Sequence, residues 1–164
     1  MQDMRNVTKY SFIEQDRPVL GADIAGGADY PDIKGTVCVY ALPDGIWLHG
    51  EFEGLPKSQD HAFHIHNGSV CDEVGEKLLT LPDVMACADG KASALIRLDR
   101  VDHTRIAGKP IVLHIKEDGK EKQMIACGLL ERILEAVDSV QWKVYRFYAF
   151  RNVLRLGKRA QARL

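Results

Sequence analysis

The sequence predicts an all-β fold, a β-sandwich or barrel, and three observations carry that expectation. Short β-rich runs recur at regular spacing up to about residue 130, turn residues bound each run, and no long helical period interrupts them. With 164 residues, 46% hydrophobic and 27% charged, the chain is long enough for one sizeable core.

The elements follow in order. Residues 35–40 form a β-rich run ending at Leu42-Pro43-Asp44-Gly45. Residues 46–52 then alternate and stop at Gly54-Leu55-Pro56, so the two runs read as a hairpin. Next comes His61-Ala62-Phe63-His64-Ile65-His66, a strand with three imidazoles in six residues. Residues 92–98 follow the turn Ala88-Asp89-Gly90-Lys91. Residues 110–115 and 124–130 flank the polar turn Glu117-Asp118-Gly119-Lys120.

On a strand, side chains alternate faces, so His64 and His66 point one way while Phe63 and Ile65 point into a core. Two nitrogens are thereby offered to a metal from one strand, although a solvated polar face fits the same pattern. His114 sits in the apolar run Pro110-Ile111-Val112-Leu113-His114-Ile115, where an uncompensated polar side chain is costly. It reads either as a ligand or as a core histidine satisfied by a backbone carbonyl. His61 faces the opposite side of its strand. His49 lies in a separate strand and His103 in the polar loop 99–105, and none of these three is expected to be a ligand.

Charge divides the chain. Residues 139–164 hold seven basic side chains (Lys143, Arg146, Arg151, Arg155, Lys158, Arg159 and Arg163) and no acidic one. The net charge of −1 leaves the first 138 residues with 15 basic against 23 acidic, a balance of −8. Asp138 with Gln141 offers a helix start. Beyond it Trp142, Tyr145, Ala149, Val153, Leu156 and Ala160 recur at helical spacing. The expected organisation is a β-domain over residues 1–130 and a basic amphipathic helical tail over 131–164. Such a tail either covers an open sheet or docks on a partner: another protein, a second copy, nucleic acid or a membrane surface. No run of eighteen apolar residues marks a membrane span. The first residues, Met1-Gln2-Asp3-Met4-Arg5-Asn6, lack the pattern of a secretion signal, which makes the cytoplasm the expected compartment.

Three ordered motifs carry a resemblance: Ala62-Phe63-His64-Ile65-His66, then Gly108-Lys109-Pro110-Ile111-Val112-Leu113-His114, then Ile125-Ala126-Cys127-Gly128. Over roughly residues 19–130 the chain resembles the copper-zinc superoxide dismutase family. The run Tyr30-Pro31-Asp32-Ile33-Lys34-Gly35-Thr36-Val37, with Gly54-Leu55-Pro56, looks like its bacterial members. The resemblance implies an eight-stranded Greek-key β-sandwich with His64, His66 and His114 as copper ligands, one copper per chain, and superoxide as substrate. It also implies a disulfide between Cys71 and Cys127, against the alternative of two buried thiols. Closing a 56-residue loop would contribute ~4 kcal/mol on chain-entropy grounds, and a cytoplasmic disulfide would be unusual. Cys38 and Cys87 match no family role.

The departures matter equally. Residues 72–90 take the place of the family's long metal loop and contain no histidine, so the zinc site and the copper–zinc bridging ligand are missing and no zinc is expected. Met124 stands where the family keeps a basic guide residue, with Lys120 and Lys122 nearby. Two functions fit. One is an oxidoreductase performing antioxidant superoxide dismutation at a zinc-less three-histidine copper site. The other is a non-catalytic dismutase-like module that buffers copper or serves as a binding scaffold.

Overall fold

The structure, a computed structural model, describes residues 17–133. The predicted helix after Asp138 and its basic flank lie outside the described residues. Nine antiparallel strands and one short helix make up the described part. They are β1 (Leu20–Gly26), β2 (Lys34–Leu42), β3 (Gly45–Glu53), β4 (Asp60–His66), β5 (Lys77–Met85), β6 (Ala92–Asp99), α1 (His103–Ile106), β7 (Pro110–Glu117), β8 (Lys120–Leu129) and β9 (Glu131–Arg132). They hydrogen-bond in the order β5-β4-β7-β8-β1-β2-β3-β6, with β9 beside β1, and β5 approaches β6 so that the sheet nearly closes into a barrel.

Each of the six runs read from the sequence falls on a strand. The hairpin β2–β3 pairs Leu42 with Gly45 and Lys34 with Glu53. Asp118 and Gly119 turn β7 into β8 with φ of 52° and 72°, the mirror-image turn whose twist suits a hairpin. The α1 segment lies in the stretch expected as loop. Asp102 caps it by accepting from the Thr104 backbone N–H at 2.9 Å.

Three strands appear where the sequence showed none: β1, β5 and the two-residue β9, which pairs with β1 in the stretch expected to begin the helical tail. β1 is rich in Gly, Ala and Asp, residues that seldom favour strands, yet it bridges β8 and β2. Glycine is required at its end, because a Cβ on Gly26 would stand 1.7 Å from Tyr30 O. β5 corrects the reading of residues 72–90 as a loop. It contains Pro82, which argues against a strand, but the β4–β5 register shifts between His61↔Val84 and Phe63↔Leu81. Pro82 thus sits in an irregularity, where no ladder bond requires its missing N–H.

The core is built from alternate residues. Phe63 and Ile65 of β4, Ile111 and Leu113 of β7, Ile125 of β8 and Leu20, Val37, Val39, Ile46 and Leu48 from the other strands are fully buried. Phe52 and Phe63 pack edge to face with ring centroids 5.6 Å apart. Phe63→Ala is expected to lower the unfolding free energy by about 3–5 kcal/mol, read in a denaturant melt.

Candidate metal centre

The same alternation that sends Phe63, Ile65, Ile111 and Leu113 inward sends His64, His66 and His114 to the opposite face. β4 and β7 are hydrogen-bonded neighbours in which Ala62 pairs His114 and His64 pairs Val112. The three imidazoles consequently converge, with ring centroids 5.4–6.0 Å apart. One ring nitrogen of each lies within 4.8 Å of the others, an arrangement that can hold a metal ion. All three side chains are buried.

Hydrogen bonding decides which nitrogen each ring presents. His66 Nδ1 donates to the Gly75 carbonyl at 2.8 Å, and His114 Nδ1 donates to the Lys122 carbonyl at 3.2 Å. Carbonyls only accept, so both rings carry their proton on Nδ1 and leave a lone pair on Nε2. His64 is turned the other way: its Nε2 lies 3.5 Å from Glu121 Oε2. In these three rings the buried atoms left without a partner are His64 Nδ1, His66 Nε2 and His114 Nε2. Three lone pairs facing one another cannot satisfy one another, and a cation is what such a set fits.

Strand irregularities aim these rings. The β4–β5 register shifts between Ile65 and His66, and the β7–β8 register shifts on both sides of His114. The second irregularity takes Lys122 out of the regular ladder, which frees its carbonyl for the imidazole. Gly75, at φ 74°, belongs to the loop after β4. That loop is fixed by the Cys71–Cys127 disulfide, with Cα atoms 5.9 Å apart, and by Lys109 Nζ donating to Asn67 O at 3.0 Å.

Burial lowers the His64 pKa below its ordinary 6.5, with Glu121 opposing and the charges of Lys77, His114 and His66 reinforcing. Partial burial pushes Glu121 upward, but the Lys77 hydrogen bond and the neighbouring imidazoles outweigh it and hold the carboxyl below its usual value.

The remaining histidines stay apart from the group. His61 Nε2 donates to Pro56 O at 2.9 Å on the opposite face of β4, and its Nδ1 is buried without a partner. His49 bonds Glu51 Oε1 at 3.0 Å on β3, and His103 stands 3.7 Å from Asp102 on α1. Burial drives the Cys38 thiol up to about 12, with Asp23 adding to the effect, which leaves it unreactive, and Cys87 is an exposed free thiol. Met124 pairs with His114 in register and is exposed, and Lys120 and Lys122 are exposed on the same strand.

The sequence did not reveal Glu121 or Lys77, nor the carbonyls of Gly75 and Lys122. Glu121 adjoins a polar turn where a solvated carboxylate is the ordinary expectation, and backbone carbonyls carry no sequence signal. No protein-family model and no curated protein matches the chain.

Unfolded His64 protonates near pH 6.5 and folded His64 at a lower pH, so below 6.5 the unfolded chain binds more protons. Stability of the metal-free protein is expected to be full above pH 6.5 and to fall as pH drops through that window. His64→Gln should flatten this limb in chemical melts at stepped pH. The double change Cys71→Ser and Cys127→Ser is expected to remove up to ~4 kcal/mol of stability and to weaken metal binding through the freed Gly75 carbonyl, measured by melts and metal titration.

Proposed function

We propose that this protein binds one copper ion per chain through His64 Nδ1, His66 Nε2 and His114 Nε2, in the manner of a dismutase-like protein without a zinc half. One observation carries the reading: three buried ring nitrogens with inward lone pairs have no partner, while an acceptor engages or faces the other nitrogen of each ring. Neutral imidazoles suit copper, which stands at the top of the divalent affinity series, so the donor set favours it over most competitors. The strand order, with β3 beside β6 and β4 beside β7, supports reading the barrel as a flattened Greek-key sandwich.

Bound copper would supply one-electron chemistry able to oxidise one superoxide to oxygen and reduce a second to peroxide. The chain's own residues would hold the three rings rigid and keep their tautomers fixed. Lys77 supplies positive charge beside the group, but its Nζ bonds Glu121 at 2.9 Å, which blunts its pull on an incoming anion. That pairing, together with Met124 beside His114, favours a second reading in which the site handles copper without turnover. The basic tail belongs to either reading as the segment that contacts a partner.

Protein purified with copper and zinc both in excess is expected to carry one copper per chain by elemental analysis, and His114→Ala to carry little. Dismutation above the free-copper background that disappears in His114→Ala supports the enzyme. Copper bound without turnover supports the copper handler, and a wild-type chain that takes up no copper sinks both.

A further inference from the structure

One carboxylate reaches two of the three rings. Glu121, on β8, places Oε2 3.5 Å from His64 Nε2 and Oε1 3.4 Å from His114 Nδ1, so each oxygen faces a different imidazole. Lys77, on β5, anchors it by donating to Oε2 at 2.9 Å. The side chain is 30% exposed and therefore lies at the rim of the histidine group.

We infer that Glu121 is the positioning residue of this centre: it sets the tautomer of His64, supports that of His114, and biases the site toward divalent over monovalent copper. The inference rests on the copper reading above.

A neutral imidazole has one N–H, and an ionised carboxylate can only accept, so Glu121 draws the His64 proton to Nε2 and leaves the lone pair on Nδ1. His66 obtains the same service from the Gly75 carbonyl, and His114 shares Glu121 with the Lys122 carbonyl. The dependence on Glu121 therefore grades from His64, which is held by it, through His114, which has a second acceptor, to His66, which it does not touch.

Both contacts exceed an ordinary hydrogen bond, so the carboxylate acts chiefly through its field. A negative charge behind two ligands makes them more basic, and its attraction for the bound ion scales with the ion's charge. A 2+ ion gains more than a 1+ ion.

The test has a metal-free and a metal-loaded arm. In the first, long-range nitrogen–proton NMR of the neutral rings reads the tautomers directly. Glu121→Ala is expected to convert His64 to a tautomer mixture, shift His114 less and leave His66 unchanged, whereas an unaltered His64 overturns the positioning role. In the second, Glu121→Gln keeps the side chain's shape and removes its charge. Competition titrations with Cu2+ and Cu+ salts are expected to show 10- to 100-fold weaker Cu2+ binding and a smaller loss for Cu+. A tenfold difference between the two losses corresponds to a rise of ~59 mV in the one-electron potential. Equal losses, or none, overturn the charge bias while leaving the copper reading intact. A wild-type chain that binds neither ion overturns the copper reading and this inference with it.

Discussion

The pairing of β4 with β7 is the contact on which the rest depends. Its register sets Ala62 opposite His114 and Phe63 opposite Leu113, so one alignment fills the barrel with Phe and Leu and gathers the imidazoles on the other face. A slip of one residue would reverse every side chain on β4, exposing the core positions and scattering the ligands. Hydrophobic burial therefore specifies the metal group, although the three imidazoles lie on the face opposite Phe63, Ile65 and Leu113. The cost falls on the imidazoles. A buried polar atom without a partner costs about 1–3 kcal/mol, and three at one point are a large burden against a typical domain stability of 5–15 kcal/mol. Such a set makes physical sense as a receptor for a cation that the fold leaves to be supplied from outside.

What the sequence made legible follows from which signals period-two alternation transmits. His64 and His66 were readable because Phe63 and Ile65 between them are apolar, and His114 because it interrupts an apolar run. β1 was not readable, since Gly21, Ala22, Ala25 and Gly26 give no β signal and the strand exists because β8 and β2 flank it. β5 was hidden by Pro82, whose place in a register shift only pairing with β4 reveals. The Cys71–Cys127 bond was legible through family resemblance rather than through spacing. Glu121 looked like any acid beside a turn until β7 and β8 brought it against His64 and His114.

The loop after β4 shows how the ligands are held from outside their own strands. It is tied to β8 by the disulfide and to the start of β7 by Lys109 through Asn67, and its Gly75 carbonyl reaches back to His66. A covalent bond, an ammonium–carbonyl contact and an imidazole–carbonyl contact thus converge on a ten-residue excursion, residues 67–76. Four short-range devices of this kind (this loop, the Lys122 carbonyl, the Glu121 carboxylate and the Lys77 ammonium) surround a group whose members come from two strands only.

The wide separation of His64 and His66 from His114 along the chain has a kinetic side. The first two leave the ribosome as neighbours on a short segment, while the third follows only after β5, β6 and α1 have been made. Until β7 docks against β4, the growing polypeptide presents only two members of the three-histidine group. Closing that non-local contact is among the slower events for a sheet of this topology. On the copper reading, high-affinity capture would be a property of the finished barrel and not of the nascent chain, so cofactor acquisition would be a checkpoint that only correctly registered molecules pass. A seated ion would then draw the population further toward that register by mass action.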